Sequence, residues 1–205
     1  MPSVKERYTV GARSLATQSM GGLARSRVTP NALTASGVLL CATASVLVYF
    51  EYRNEILFYW SGAAVFVLGS VLDILDGALA RLSGKGTPFG AFLDSTTDRV
   101  SEAFMLGSIA LVFNRHGNEV ALAVTFAAMA GSFLVSYTRA RAEALGLKGD
   151  VGIGSRAERV VVITAGLVLA PWGALQWAIY LLAVTAWFTV GQRIWSVRSQ
   201  MRARF

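Results

Sequence analysis

Cysteine and histidine are almost missing from this chain: Cys41 and His116 stand alone. A single cysteine inside an apolar run gives no disulfide framework. A single histidine, in the short polar stretch "NRHGNE", leaves neither a zinc site nor a Ser/His or Cys/His nucleophile, and His116 reads as a solvated loop residue. Charge is scarce as well. Of the 205 residues only 15% are charged, against 54% hydrophobic and a mean hydropathy of +0.52, which excludes an ordinary soluble domain and fits a membrane protein. The net charge of +7 and pI near 10.1 therefore do not point to nucleic acid, because no soluble domain is left to hold one. Anionic lipid headgroups and phosphorylated ligands match that charge better. Internal repeats and low-complexity segments are also lacking.

What the chain does have is apolar length. Runs able to span a bilayer fall at about 31–50, 56–79, 90–113, 119–140, 157–170 and 173–192. They predict an all-α integral membrane protein of six transmembrane helices, the fifth being the shortest. Lysine and arginine collect on the cytoplasmic side of such proteins. Lys5 to Arg27, Arg81 and Lys85, the cluster from Arg139 to Arg159, and Arg193 to Arg204 fall at one set of ends; Arg53 and Arg115 fall at the other. Both termini are thus expected in the cytoplasm, with the protein in the cell membrane, and omitting the fifth span would strand the C-terminal arginines on the wrong side. Residues 3–27 precede the first apolar run and are not read as a cleavable signal. Ser3 and Glu6 can form a capping box, and Val4, Tyr8, Ala12 and Leu15 recur at near-helical spacing. An amphipathic helix on the inner leaflet is expected there, bent near Gly21-Gly22. The chain divides into an interfacial unit, 1–29, and a six-helix domain, 30–205.

Within the apolar background, "VLDILDGALARLSGKGTPFGAFLDSTTDR" (71–99) carries four aspartates in two pairs. Asp73 and Asp76 are spaced i,i+3 and Asp94 and Asp98 i,i+4, so each pair projects from one helix face. The intervening "RLSGKGTPFG" reads as a turn, with Thr87-Pro88 as N-cap and first residue of the next helix. A hairpin centred near Lys85 sets Asp76 level with Asp94 and Asp73 level with Asp98. Crowded carboxylates repel unless a cation shares the site. Oxygen-only ligands select Mg²⁺, Mn²⁺ or Ca²⁺, and two divalent ions would balance four negative charges. Counting from Ile56 puts Asp73 about 26 Å along the second helix, near the edge of a hydrocarbon core about 30 Å thick. A site at that depth meets lipid on one side and cytosol on the other.

The pattern Asp73-x2-Asp76-Gly77-x2-Ala80-Arg81-x8-Gly90-x3-Asp94-x3-Asp98 resembles the signature of the CDP-alcohol phosphotransferase family. The resemblance implies Mg²⁺ or Mn²⁺ held by Asp73, Asp76, Asp94 and Asp98, with Asp98 also acting as the catalytic base. It implies a CDP-diacylglycerol site formed by Asp73, Asp76, Gly77, Ala80 and Arg81, with Thr87 a further contact. Gly77 and Ala80 would admit the cytidine and Arg81 would hold the diphosphate. "TPN" at 29–31 also resembles the family, and Asn31 there can meet the nucleotide or simply cap the first helix. A homodimer embedded among membrane lipids is implied too.

A second stretch, "SYTRARAEALGLKGDVGIGSRAERVVV", resembles the actinobacterial branch that makes phosphatidylinositol phosphate. Ser155 and Glu158 form a capping box for the fifth helix, yet Arg156 and Arg159 sit in its first turns, where the macrodipole opposes cations. Ser136, Arg139, Arg156, Arg159 and Arg193 are the implied set for the phosphate of inositol 1-phosphate. Arg139 stands where that branch usually has lysine, and a planar guanidinium does not reproduce an ammonium contact. Two other readings stay open on the sequence: glycerol 3-phosphate as acceptor, and a divalent-cation transporter with an intramembrane carboxylate cluster.

Overall fold

The computed structural model describes residues 29–82, 84 and 86–203, and among them every regular element is helical. The expected interfacial helix, with its Ser3–Glu6 box and Gly21-Gly22 bend, lies outside the described residues, as do Lys85 and Arg204. Six α-helices follow one another: α1 Pro30–Tyr49, α2 Glu55–Leu82, α3 Pro88–Arg115, α4 Glu119–Ala144, α5 Arg156–Val168 and α6 Leu175–Arg202. Short 3-10 turns, Glu51–Arg53 and Ala170–Trp172, precede α2 and α6.

Local chemistry sets most helix starts. Thr29 Oγ1 accepts from Ala32 N at 3.3 Å, and Thr87 Oγ1 accepts from Gly90 N at 2.9 Å, each followed by a first-turn proline. Asn118 caps α4 through Ala121 N at 3.0 Å. The Ser155–Glu158 box is complete at α5. Beyond α5, Pro171 removes a backbone donor and Gly173 turns at φ 77°, which ends the helical path.

Each of the six expected apolar runs coincides with a helix. Three of them, α1, α2 and α4, are long and apolar enough to cross a membrane. The 28-residue α3 is diluted by Asp94, Asp98, Arg99 and Glu102 near its start. At 13 residues α5 is shorter than its apolar run, because the chain tightens into the 3-10 turn at Ala170. The last helix instead continues past the expected end at 192 to Arg202.

Met105, Leu106 and Ile109 of α3 are fully buried and stand at the centre of the core. Cys41, Ala44 and Val48 of α1, Phe66 of α2, Ile163 and Leu167 of α5, and Ile179 and Leu182 of α6 pack around them. Outward positions remain apolar, including Leu39, Leu68, Ile74, Leu111, Val161 and Val184, all more than half exposed. A surface of that kind suits lipid rather than water.

Two glycines bring α1 and α2 together near the aspartates. A Cβ built on Gly69 would stand 2.8 Å from Cys41 Sγ and 2.9 Å from the Gly37 carbonyl oxygen. Small residues permit such close backbone approach between membrane helices. At the opposite end of the bundle, Glu51 is 1% exposed and accepts from Arg115 Nη1 at 2.9 Å. Arg115 also lies over the Tyr49 and Tyr52 rings, at 4.6 and 4.4 Å. His116, expected as a solvated loop residue, is half exposed in the turn after α3 and places Nε2 3.2 Å from Glu51 Oε1. The buried carboxylate draws it in.

Candidate active site

The hairpin of α2 and α3 brings its aspartates together as the register requires. One carboxylate oxygen from each of Asp73, Asp76 and Asp94 lies within 4.8 Å of the others. Asp73 and Asp76 are buried and Asp94 is partly buried. The close crossing at Gly37 and Gly69 also brings Thr34, on α1, over Asp76. Its hydroxyl donates to Asp76 Oδ2. The other oxygen, Asp76 Oδ1, is buried with no hydrogen-bond partner among the described residues.

An orphaned buried carboxylate oxygen amid two further carboxylates is costly unless a cation meets it. The donor set contains oxygen only, so these residues fit a hard divalent ion such as Mg²⁺ or Mn²⁺. Asp98 adjoins the cluster and meets cations of the chain itself. Its Oδ1 is 2.5 Å from Arg156 Nη1, and its Oδ2 is 3.3 Å from Arg99 Nη1. Arg156 Nη1 also pairs with Asp73 Oδ2, so one guanidinium links the aspartates expected to lie level.

A cavity of about 250 Å³ opens beside the cluster, between the start of α1, the end of α2 and the start of α3. Asn31, Asp76, Gly77, Ala80, Arg81 and Thr87, all singled out in the sequence, line it together with Asp94. Asp73 belongs to the carboxylate cluster behind it. The small residues have a geometric reason. A Cβ on Gly90 would come within 3.1 Å of Thr87 Oγ1 and 3.6 Å of Asn31 Oδ1, while one on Gly77 would meet only Arg81 Nη1, at 3.5 Å. Gly77 is thus not required by the protein's own packing, and the space it leaves faces the cavity. Thr34, Gly86 and Ala91 line the same cavity and escaped the sequence reading. Thr34 was legible in principle, since it shares a helix face with Asn31 at i,i+3.

The residues expected around an acceptor phosphate divide. Arg156 reaches the aspartates, as described. Arg159 departs from expectation: it is 6% exposed and its guanidinium is closed by Glu102, Nε to Oε1 at 2.7 Å and Nη2 to Oε2 at 3.0 Å. Burial of a guanidinium demands such a partner. Arg193 is 8% exposed and donates to the carbonyls of Val151, at 2.8 Å, and Val135. It therefore lies beside partly buried Ser136, whose own hydroxyl is 3.4 Å from the Ser132 carbonyl. Arg139 is exposed and pairs with Glu143 at 2.9 Å, an i,i+4 contact along α4. Glu102 escaped the sequence reading. Its signal is the i,i+4 spacing from Asp98, opposite arginines spaced i,i+3.

Comparison with known proteins agrees with this geometry. Residues 27–198 match the model of the CDP-alcohol phosphatidyltransferase family. The chain is 40% identical over 181 residues to the archaetidylinositol phosphate synthase of Pyrococcus horikoshii, a match covering 87% of this chain and 88% of that protein. Its fold is similar to the crystal structure of Mycobacterium tuberculosis phosphatidylinositol phosphate synthase with CDP-DAG bound, with TM-score 0.79, 30% identity, and coverage of 90% of this chain and 94% of that one. The same enzyme in complex with manganese and citrate gives TM-score 0.78 and 31% identity, covering 89% and 88%.

Proposed function

Because the chain belongs to the CDP-alcohol phosphatidyltransferase family, we propose that it transfers the diacylglycerol-phosphate group of CDP-diacylglycerol to inositol 1-phosphate, giving phosphatidylinositol phosphate and CMP. The observation that carries this reading is the three-aspartate cluster, with its orphaned Asp76 oxygen, opening on the cavity formed by Asn31, Gly77, Ala80 and Arg81. Both relatives compared above have names containing inositol phosphate, which favours that acceptor over glycerol 3-phosphate.

Asp73, Asp76 and Asp94 would hold Mg²⁺ or Mn²⁺, with Asp98 as a further ligand and two ions in all. Bound there, the ions supply Lewis-acid neutralisation of the diphosphate and of charge developing on the leaving CMP. The chain's own groups do the rest. Arg81 holds the diphosphate at the cavity wall, Gly77 and Ala80 leave room for the cytidine, and Asn31 and Thr87 border it. Arg156, beside Asp98, draws the acceptor's phosphate so that its hydroxyl lies within reach of that carboxylate. Arg193, Ser136 and Arg139 form the outer part of the acceptor region. The acceptor oxygen bonds to the phosphorus bearing diacylglycerol, the bond from that phosphorus to the CMP oxygen breaks, and the hydroxyl proton passes to Asp98. No covalent enzyme intermediate is needed.

In this reading residues 30–205 form six membrane spans with the site at the cytoplasmic face of the cell membrane, and two copies form a homodimer. The distribution of arginine and lysine supports that orientation. The test is CMP release by the purified protein with CDP-diacylglycerol and Mg²⁺, with inositol 1-phosphate in one reaction and glycerol 3-phosphate in another. Release only with inositol phosphate is expected. Release only with glycerol phosphate would keep the aspartate chemistry and overturn the acceptor.

A further inference from the structure

Glu102 lies on α3 one turn beyond Asp98 and is 8% exposed. The signature pattern does not include it, and it reaches neither the three-aspartate cluster nor the donor cavity. What it holds is Arg159, in a two-pronged contact at 2.7 and 3.0 Å. The remaining terminal nitrogen of Arg159, Nη1, donates to the Gly154 carbonyl at 2.9 Å. Three bonds from one planar group fix its orientation. A buried ion pair contributes little net stability over a well-packed apolar pair, so its use here points to placement rather than strength.

The placed element is the first turn of α5. Arg156 and Arg159 are i,i+3 neighbours on that helix, and Asp98 and Glu102 are i,i+4 neighbours on α3. They meet as two rungs, Arg156 with Asp98 and Arg159 with Glu102. Arg156 is the first residue of α5 and so faces the positive end of the helix dipole, with a second arginine one turn away. Neutralising Arg159 removes one of those two oppositions. From the outer side, Glu158 accepts from Gly154 N at 2.8 Å and Ser155 N at 2.6 Å, fixing the same turn.

We propose that Glu102 and Arg159 are a positioning pair: they pin the start of α5 to α3, so that Arg156 alone is presented to the acceptor phosphate beside Asp98. Arg159 is then not a phosphate ligand. The proposal rests on Arg156 gripping the acceptor, as in the function given above.

The two roles for Arg159 give opposite outcomes in Glu102→Gln. Were Arg159 a phosphate ligand restrained by Glu102, removing the carboxylate charge would free it and lower the acceptor KM. A positioning pair raises it. Initial rates of CMP release by the full-length enzyme are measured with each substrate varied in turn, for wild type, Glu102→Gln and Arg159→Lys. The acceptor KM is expected to rise on the order of tenfold in both variants, with the CDP-diacylglycerol KM within about twofold of wild type. An unchanged or lower acceptor KM in Glu102→Gln overturns the proposal. So does a parallel rise in both KM values, which is the mark of general loosening. If Glu102→Gln does not fold, Glu102→Asp, which keeps the charge and withdraws the fork's partner, decides by the same split. Wild type responding to glycerol 3-phosphate alone would refute the assigned acceptor, and the split is then read with that substrate.

Discussion

Thr34 donates its hydroxyl to Oδ2 of Asp76, tying the start of α1 to the second aspartate of α2 and leaving Oδ1 of the same carboxylate buried and unpaired. The bond depends on the glycine crossing one turn away, where Gly37 and Gly69 let the two backbones approach. A hydroxyl that orients a ligating carboxylate acts on metal affinity rather than on chemistry. Thr34→Val keeps the shape and removes the donor. It is expected to raise the Mg²⁺ concentration needed for half-maximal CMP release by about tenfold, while Thr34→Ser stays near wild type. An unchanged Mg²⁺ dependence in the valine variant would show that Asp76 needs no such orientation.

Asp98 shares Arg156 Nη1 with Asp73 and also contacts Arg99. Its place beside Arg156, the group assigned to the acceptor's phosphate, suits a proton acceptor. Asp98→Asn is expected to lower kcat by about 10²- to 10⁴-fold while CDP-diacylglycerol binding, followed by direct titration, is largely retained. Near-normal turnover in this variant would remove Asp98 from the base role.

Gly77 faces the cavity, and its added Cβ would meet only the tip of Arg81. The backbone there has room for a Cβ, and leucine gains up to about 1 kcal/mol of helix propensity over glycine. The same side chain intrudes on space assigned to the cytidine. Gly77→Leu is therefore expected to keep or raise the unfolding temperature and to raise the CDP-diacylglycerol KM on the order of tenfold or more. A variant that folds and binds the donor normally would place the nucleotide elsewhere.

The aspartates were legible because helical spacing converts sequence distance into a face, and the Thr-Pro caps fixed where the second helix begins. Asn31, Ala80 and Thr87 came from the resemblance and proved to share one cavity. Glu102 and Thr34 carry a local spacing signal, to Asp98 and to Asn31, but the partners they hold lie on other helices, which no local spacing relates. Positive charge at a helix start, as at Arg159, has two explanations, an anion outside or a buried carboxylate on a neighbour. The second becomes visible only when Glu102 is seen to reach from α3 to the start of α5. The length of α5 was misjudged because hydropathy continues through Leu169 and Ala170 while the backbone tightens into a 3-10 turn.

Arg156 and Arg193 were grouped as equivalent acceptor contacts, and their surroundings separate them. Arg193 supports two backbone carbonyls, of Val135 on α4 and Val151 in the loop before α5. Its removal deletes two charge-assisted bonds, worth about 1.5–3 kcal/mol each, and empties the space of an 8% exposed side chain. Arg156 is 28% exposed, and among the described residues it pairs with the carboxylates Asp73 and Asp98. With Mg²⁺ present, Arg156→Ala is therefore expected to hold its unfolding temperature close to wild type while the acceptor KM rises and the CDP-diacylglycerol KM does not. Arg193→Ala is expected to unfold several degrees earlier and to lose activity toward both substrates. Thermal unfolding and paired KM measurements on the two variants decide the matter. If Arg193→Ala keeps wild-type stability and loses only acceptor affinity, its carbonyl bonds are dispensable and its guanidinium turns to the phosphate during turnover.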